Sequence, residues 1–156
     1  MFKVMPAPPG MAYSYPYKTV MTQFESKIKI IPYNQGKVYA KLSDLSNLSG
    51  IADKIPQDKV NDLEFDTDSI RFSMAPVGKI TLRIIEREPE KCIKFESMDA
   101  PLSFNLWIQI VPTAGEECKM KLTLRAELNP FIKGMVQKPL QDGLDKMAEA
   151  LARITY

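Results

Sequence analysis

The chain has 156 residues, 45% hydrophobic and 26% charged. That composition fits one globular domain able to bury a core without staples, and it excludes a disordered or fibrous class. With 21 basic against 19 acidic residues the net charge is +2 and no block of one sign stands out, so the basic face that nucleic acid requires is missing and no nucleic-acid partner is expected.

Histidine is absent, which removes Ser-His-Asp and Cys-His catalysis and His-ligated metals or haem. Acid–base chemistry would fall to Asp, Glu, Lys, Tyr or Cys. Two cysteines, Cys92 and Cys118, are too few for a disulfide framework and fit no zinc spacing. No cofactor or metal is expected. No apolar run approaches the ~20 residues of a membrane span, and no secretory pattern opens the chain, so a cytoplasmic location is expected.

Residues 1–21 read as an irregular N-terminal extension. Four prolines and the set Tyr13, Tyr15 and Tyr17 suit neither a helix nor a central strand. They form either a loose tail or an arm packed over the domain or a neighbour. From Thr22 to Ile31 the alternation predicts one half-buried strand, with Phe24, Ser26, Ile28 and Ile30 on one face. Asn34 is the expected N-cap of a helix from Gln35 to about Leu45, and Leu48 to Lys54 suggests a second short helix.

Six strands follow: Val60–Phe65, Ser69–Met74, Gly78–Glu88, Cys92–Ser97, Phe104–Val111 and Cys118–Leu128, joined by turn-type segments. In the last, Cys118, Met120, Leu122, Leu124 and Ala126 face one side and charged residues the other. Cys92 and Cys118 have opposite parity, so two free thiols are expected. Asn129 caps a long C-terminal helix with Pro130 in its first turn. Its apolar stripe is Leu140, Leu144, Met147, Leu151 and Ile154. Pro139 is expected to kink it, and Gly134 and Gly143 leave room on its surface.

The fold expected is therefore α+β: a seven-stranded curved antiparallel sheet wrapped around a long C-terminal helix, with two short helices after strand 1. The inward positions collect Phe24, Ile28, Leu63, Phe65, Phe72, Met74, Leu82, Ile84, Phe95, Leu106, Ile108, Met120, Leu122, Met135, Leu144 and Met147. They either fill a solid core or line a cavity, and nine methionines suit an adaptable site as well as ordinary gaps. Ser26, Glu86 and Ser97 are polar residues in inward register. Ser26 and Ser97 either orient a ligand or bond backbone, and Glu86 sits near the rim. Trp107 has outward parity: it is an interface anchor, as for a homodimer through the outer sheet face, or it is covered by a loop or the N-terminal arm.

Two segments, FESKIKIIPYNQGKVYAKLSDLSNL at 24–48 and NPFIKGMVQKPLQDGLDKMAEALARI at 129–154, resemble the START-related helix-grip superfamily, which includes birch-pollen-allergen-like and polyketide-cyclase-like proteins. The likeness covers residues 22–156, read as a single helix-grip domain. It implies a cavity between sheet and helix but no shared catalytic motif. The expected function is binding or carriage of a hydrophobic small molecule or lipid, without catalysis. One alternative is a polyketide cyclase or aromatase-like enzyme using Tyr39 and Glu86. Another is a protein-interaction module of the same fold.

Overall fold

The computed structural model describes residues 20–48, 61–74, 78–98 and 103–156. Its strands are β1 (Val20–Glu25), β2 (Lys29–Ile31), β3 (Asn61–Phe65), β4 (Ser69–Met74), β5 (Gly78–Glu88), β6 (Cys92–Met98), β7 (Phe104–Pro112) and β8 (Cys118–Leu128). Helix α1 spans Gln35–Leu42 and α2 spans Pro130–Ala152. All pairings are antiparallel, in the order β1-β8-β7-β6-β5-β4-β3, with β2 also on β8. The meander arises because each alternating segment is followed by a short turn, so sequential strands pair. Gly115, at φ 68°, supplies the left-handed residue of the β7–β8 turn.

The expected first strand divides in two, and it begins at Val20 rather than Thr22. Glu25 pairs with Thr123 and Lys29 with Met120, so four steps on one strand oppose three on β8. The extra residue makes a bulge and reverses the side-chain parity beyond it. Ile28 and Ile30, expected inward, are therefore 47% and 51% exposed, and Ile31 is fully buried instead.

The bulge closes through Ser26. Its amide donates to Leu122 O at 2.9 Å, and its Oγ accepts from Leu122 N at 2.9 Å and donates to Lys27 O at 3.0 Å. Helix α2 takes up two more of the bulge's backbone groups. Gln141 Nε2 donates to Glu25 O at 2.8 Å, and Asp145 Oδ1 accepts from Lys27 N at 3.2 Å. Residues 141 and 145 stand one turn apart on one helix face, so a single turn of α2 staples the edge strand.

A second bulge lies in β5. Ile84 pairs with Phe95 and Glu86 with Lys94, leaving Ile85 as the extra residue. Glu86, expected inward, turns to the outer face beside Lys94 and is exposed. Arg87 turns inward opposite Ile93. Its Nε and Nη2 donate to Ser43 O at 3.0 and 2.9 Å, and Nη2 meets Asp68 Oδ1 at 2.6 Å. Ser43 is the C-cap of α1, where a cation complements the helix dipole. Leu45 N donates to Thr67 O at 3.0 Å and completes the bridge from α1 to the β3–β4 turn.

Asn34 caps α1 as expected, accepting from Lys37 N at 2.9 Å. The helix ends at Leu42, and a 3₁₀ turn at 45–48 replaces its last expected turn. The second expected helix falls mostly at 49–54, outside the described residues, as does the expected extension of 1–21 except Val20 and Met21, which belong to β1. Asn129 caps α2, accepting from Ile132 N at 2.8 Å, with Pro130 in the first turn. The helix runs on through Pro139 to Ala152. Val136, Leu140, Gly143, Leu144, Ala148 and Leu151 form its buried stripe. That stripe, α1's Val38 and Leu42, and the inward residues of the sheet make one core, with α2 lying on β8, β1 and β2.

Candidate functional site

An apolar cavity of about 40 Å³ opens within this core. The sheet contributes Phe72 and Met74 from β4, Ile80 and Leu82 from β5, Phe104 and Leu106 from β7, and Leu124 from β8. The helix contributes Leu140, Gly143, Leu144 and Met147. None of these side chains is charged or able to form a strong hydrogen bond. One water itself occupies roughly 10–15 Å³. The space as it stands takes only a small group, and a larger guest requires lining side chains to move.

The side chain best placed to move is Met74. A Cβ added at Gly143 would run into Met74 Cε, with Sδ at 3.6 Å. The thioether therefore lies directly on the helix backbone at the one turn that has no side chain there. Met147, one turn further along α2, lines the same space. Unbranched thioethers rearrange at low energy, so two walls of the cavity are adaptable and the rest are stiff Ile, Leu and Phe.

The expected residues divide. Phe72, Met74, Leu82, Leu106, Leu144 and Met147 lie together around the cavity. Phe24, Ile84, Phe95, Ile108, Met120 and Leu122 are buried in the solid part of the core. Leu63 and Phe65 are half-buried against it. Met135 is half exposed on α2, off the buried stripe. Ser26 serves the bulge, and Ser97 Oγ accepts from Phe104 N at 2.9 Å, so both bond backbone. Ser97 thereby fixes the strand that carries the cavity-lining Phe104. Tyr39 is half-buried against the core. The lining residues not singled out beforehand as cavity candidates are Ile80, Phe104, Leu124, Leu140 and Gly143. Ile80, Leu124 and Leu140 share the parity or stripe of residues that were, and Gly143 already marked a gap in the helix surface.

Neither Cys92 nor Cys118 is in a disulfide. Burial, then the nearby Glu117 carboxylate, pushes the Cys118 thiol up from its ordinary 9.0, which keeps it protonated and unreactive. Tyr156 OH donates to Leu151 O at 2.7 Å. Burial, then Cys118, raises its phenol far above the ordinary 10.0. The ring packs edge-on to Tyr33 at 5.8 Å and ties the C-terminus to the segment before α1. Among the described residues no cluster of three or more acidic or cysteine side chains could hold a metal ion, and no helix is long and apolar enough to cross a membrane.

Norcoclaurine synthase from Thalictrum flavum superimposes with a TM-score of 0.67 at 16% identity, over 90% of this chain and 96% of that one. The chain has the START-related, birch-pollen-allergen-like helix-grip fold. A START superfamily protein from Mycobacterium smegmatis matches at TM-score 0.61 and 14% identity, over 85% and 94% of the two chains. A protein from Thermus thermophilus matches at 0.59 and 20%, over 84% and 94%. The synthase has also been solved with dopamine and hydroxybenzaldehyde bound. No family profile and no curated protein sequence matches the chain.

Proposed function

We propose that this helix-grip chain binds and carries a hydrophobic small molecule or lipid between α2 and the sheet, without chemistry of its own. The observation that carries the reading is the lining: among the described residues it has eleven members, all apolar or glycine, with Met74 and Met147 as the movable walls. Such a wall recognises shape and apolar area and offers no group to take or give a proton. The enzyme alternative needs a proton-moving group at the cavity. Of its two candidates, Glu86 stands exposed on the outer face and Tyr39 lies on α1, outside the lining, and the structural likeness to a synthase extends to fold alone.

Native mass spectrometry of freshly purified protein, followed by titration with fatty acids, sterols, quinones and small aromatics, tests the reading. Excess mass released on denaturation, or uptake from the panel that Gly143→Leu abolishes, is the expected result. A bare polypeptide mass with no uptake would overturn it.

A further inference from the structure

The two sides of the cavity are held to α2 in different ways. On one side the helix runs close to β8, β1 and β2, and Gln141 and Asp145 bond the backbone of Glu25 and Lys27. On the other side it meets β4 through the Met74 thioether lying on Gly143. That contact is dispersion between an unbranched side chain and a bare stretch of helix, and it separates without breaking a strong hydrogen bond. The outer face of the sheet, by contrast, is closed over its tryptophan. Trp107 is 5% exposed, with Lys94 Nζ and the Arg125 guanidinium 5.3 and 5.5 Å from its ring centre.

Met74 belongs to a corner of the sheet with little support. Phe72, Ser73 and Met74 pair with Ile80, Lys79 and Gly78. The described pairing of β5 with β6 begins only at Thr81. On the far side Asn61 of β3 lies opposite Ser73, after which the register shifts and Asp62 takes a left-handed φ of 54°. Ribbons of two strands are marginally stable by themselves. The other end of β4 is fixed. Asp68 O accepts from Ile84 N at 2.8 Å, Asp68 Oδ1 accepts from Arg87 Nη2 at 2.6 Å, and Thr67 O accepts from Leu45 N at 3.0 Å. Six residues, or about 20 Å of strand, separate that anchor from Met74. Phe72, Met74 and Ile80 are also the part of the cavity wall that faces Gly143 and Met147. A guest of lipid size must displace some wall, and segments with few neighbours open at the lowest cost.

We propose that this corner of β4 and β5 swings from α2 about the fixed turn at 66–68, that Met74 on Gly143 is its latch, and that guests pass between the two. The proposal rests on the carrier reading and adds the route into the site. The probe is N-phenyl-1-naphthylamine, a neutral apolar dye, followed by equilibrium titration and by stopped-flow fluorescence. The full chain is compared with Met74→Ala, which removes the latch, and Met74→Leu, which keeps its size but stiffens it. Gln141→Ala loosens the opposite side, and circular dichroism confirms the fold of each variant. A site that must open before it fills binds slowly. Met74→Ala should therefore raise association and dissociation rates together by at least about fivefold, Met74→Leu should lower both, and Gln141→Ala should leave both within about twofold. Rates that respond to Gln141→Ala and to neither Met74 variant would overturn the proposal and put the opening beside β1 and β2, with the carrier reading intact. Rates unchanged in all three variants would overturn it as well. A full chain that binds no dye at equilibrium would remove the carrier reading, and the latch with it.

Discussion

At the scale of single residues, Gly143 is the most informative position. Replacing it with Ala gains about 1 kcal/mol of helix propensity, but the new methyl displaces Met74 Cε. The two effects oppose, so Gly143→Ala should change unfolding free energy by less than about 1 kcal/mol. The displaced thioether should nevertheless narrow the cavity, and titration with the bound ligand class should show weaker uptake at unchanged stability. Leu106→Ala acts in the other direction. Leu106 is buried and lines the space, so its truncation should destabilise the fold by about 2–4 kcal/mol in urea titration while admitting larger guests. At Cys118, burial and the raised thiol predict that a native protein reacts with a thiol reagent at Cys92 well before Cys118, which should respond only on unfolding. Equal rates under native conditions would contradict the placement.

At the scale of elements, the long helix is held at both ends of its second half. Gln141 and Asp145 bond the backbone of the edge strand, and Tyr156 folds back on Leu151. The phenol's ionisation is suppressed in the fold, so an unfolded chain loses that proton first as pH rises. Tyr156 therefore contributes fully below pH 10, its ordinary value, and stability should fall as pH climbs above it. Tyr156→Phe should lower stability at neutral pH by about 1 kcal/mol for the lost hydrogen bond, and flatten the alkaline loss in urea midpoints measured across that range. Most elements were legible in the sequence. Asn34 and Asn129 announce the helix starts because few residues accept from a free amide there, and Cys118–Leu128 announces its strand through unbroken alternation. The two bulges were not legible. Period-two reading assumes one residue faces one, so it placed Ile28, Ile30 and Glu86 on the wrong faces and missed that Arg87 reaches Ser43. The cavity was half legible for a related reason. Parity separates inner from outer residues, but which inner residues surround empty space depends on how far α2 lies from each strand.

For the whole molecule, the sheet and α2 enclose one core with a small defect in it, and the defect is where a guest is proposed to sit. Binding to the folded chain alone raises stability by mass action, about 2.7 kcal/mol at a hundredfold excess over the dissociation constant. Thermal unfolding should therefore shift upward with the correct ligand and stay put with one that binds only the outer surface. The first bulge carries a different lesson about this architecture. One extra residue between Glu25 and Lys29 decides which of Ile30 and Ile31 faces the core, so the segment works by residue count as well as by the chemistry of Ser26. Substituting exposed Ile28 by Ser should be almost silent. Deleting Ile28 should remove the bulge itself: three steps then oppose three, plain alternation from Phe24 keeps Ile31 inward and Ile30 outward, and the loss falls on the Ser26 and Lys27 bonds that the bulge makes. In a deletion scan of this chain the loss of residue 28 should therefore leave the core facing of Ile31 intact, while replacing Ser26, which closes the bulge, should not be silent.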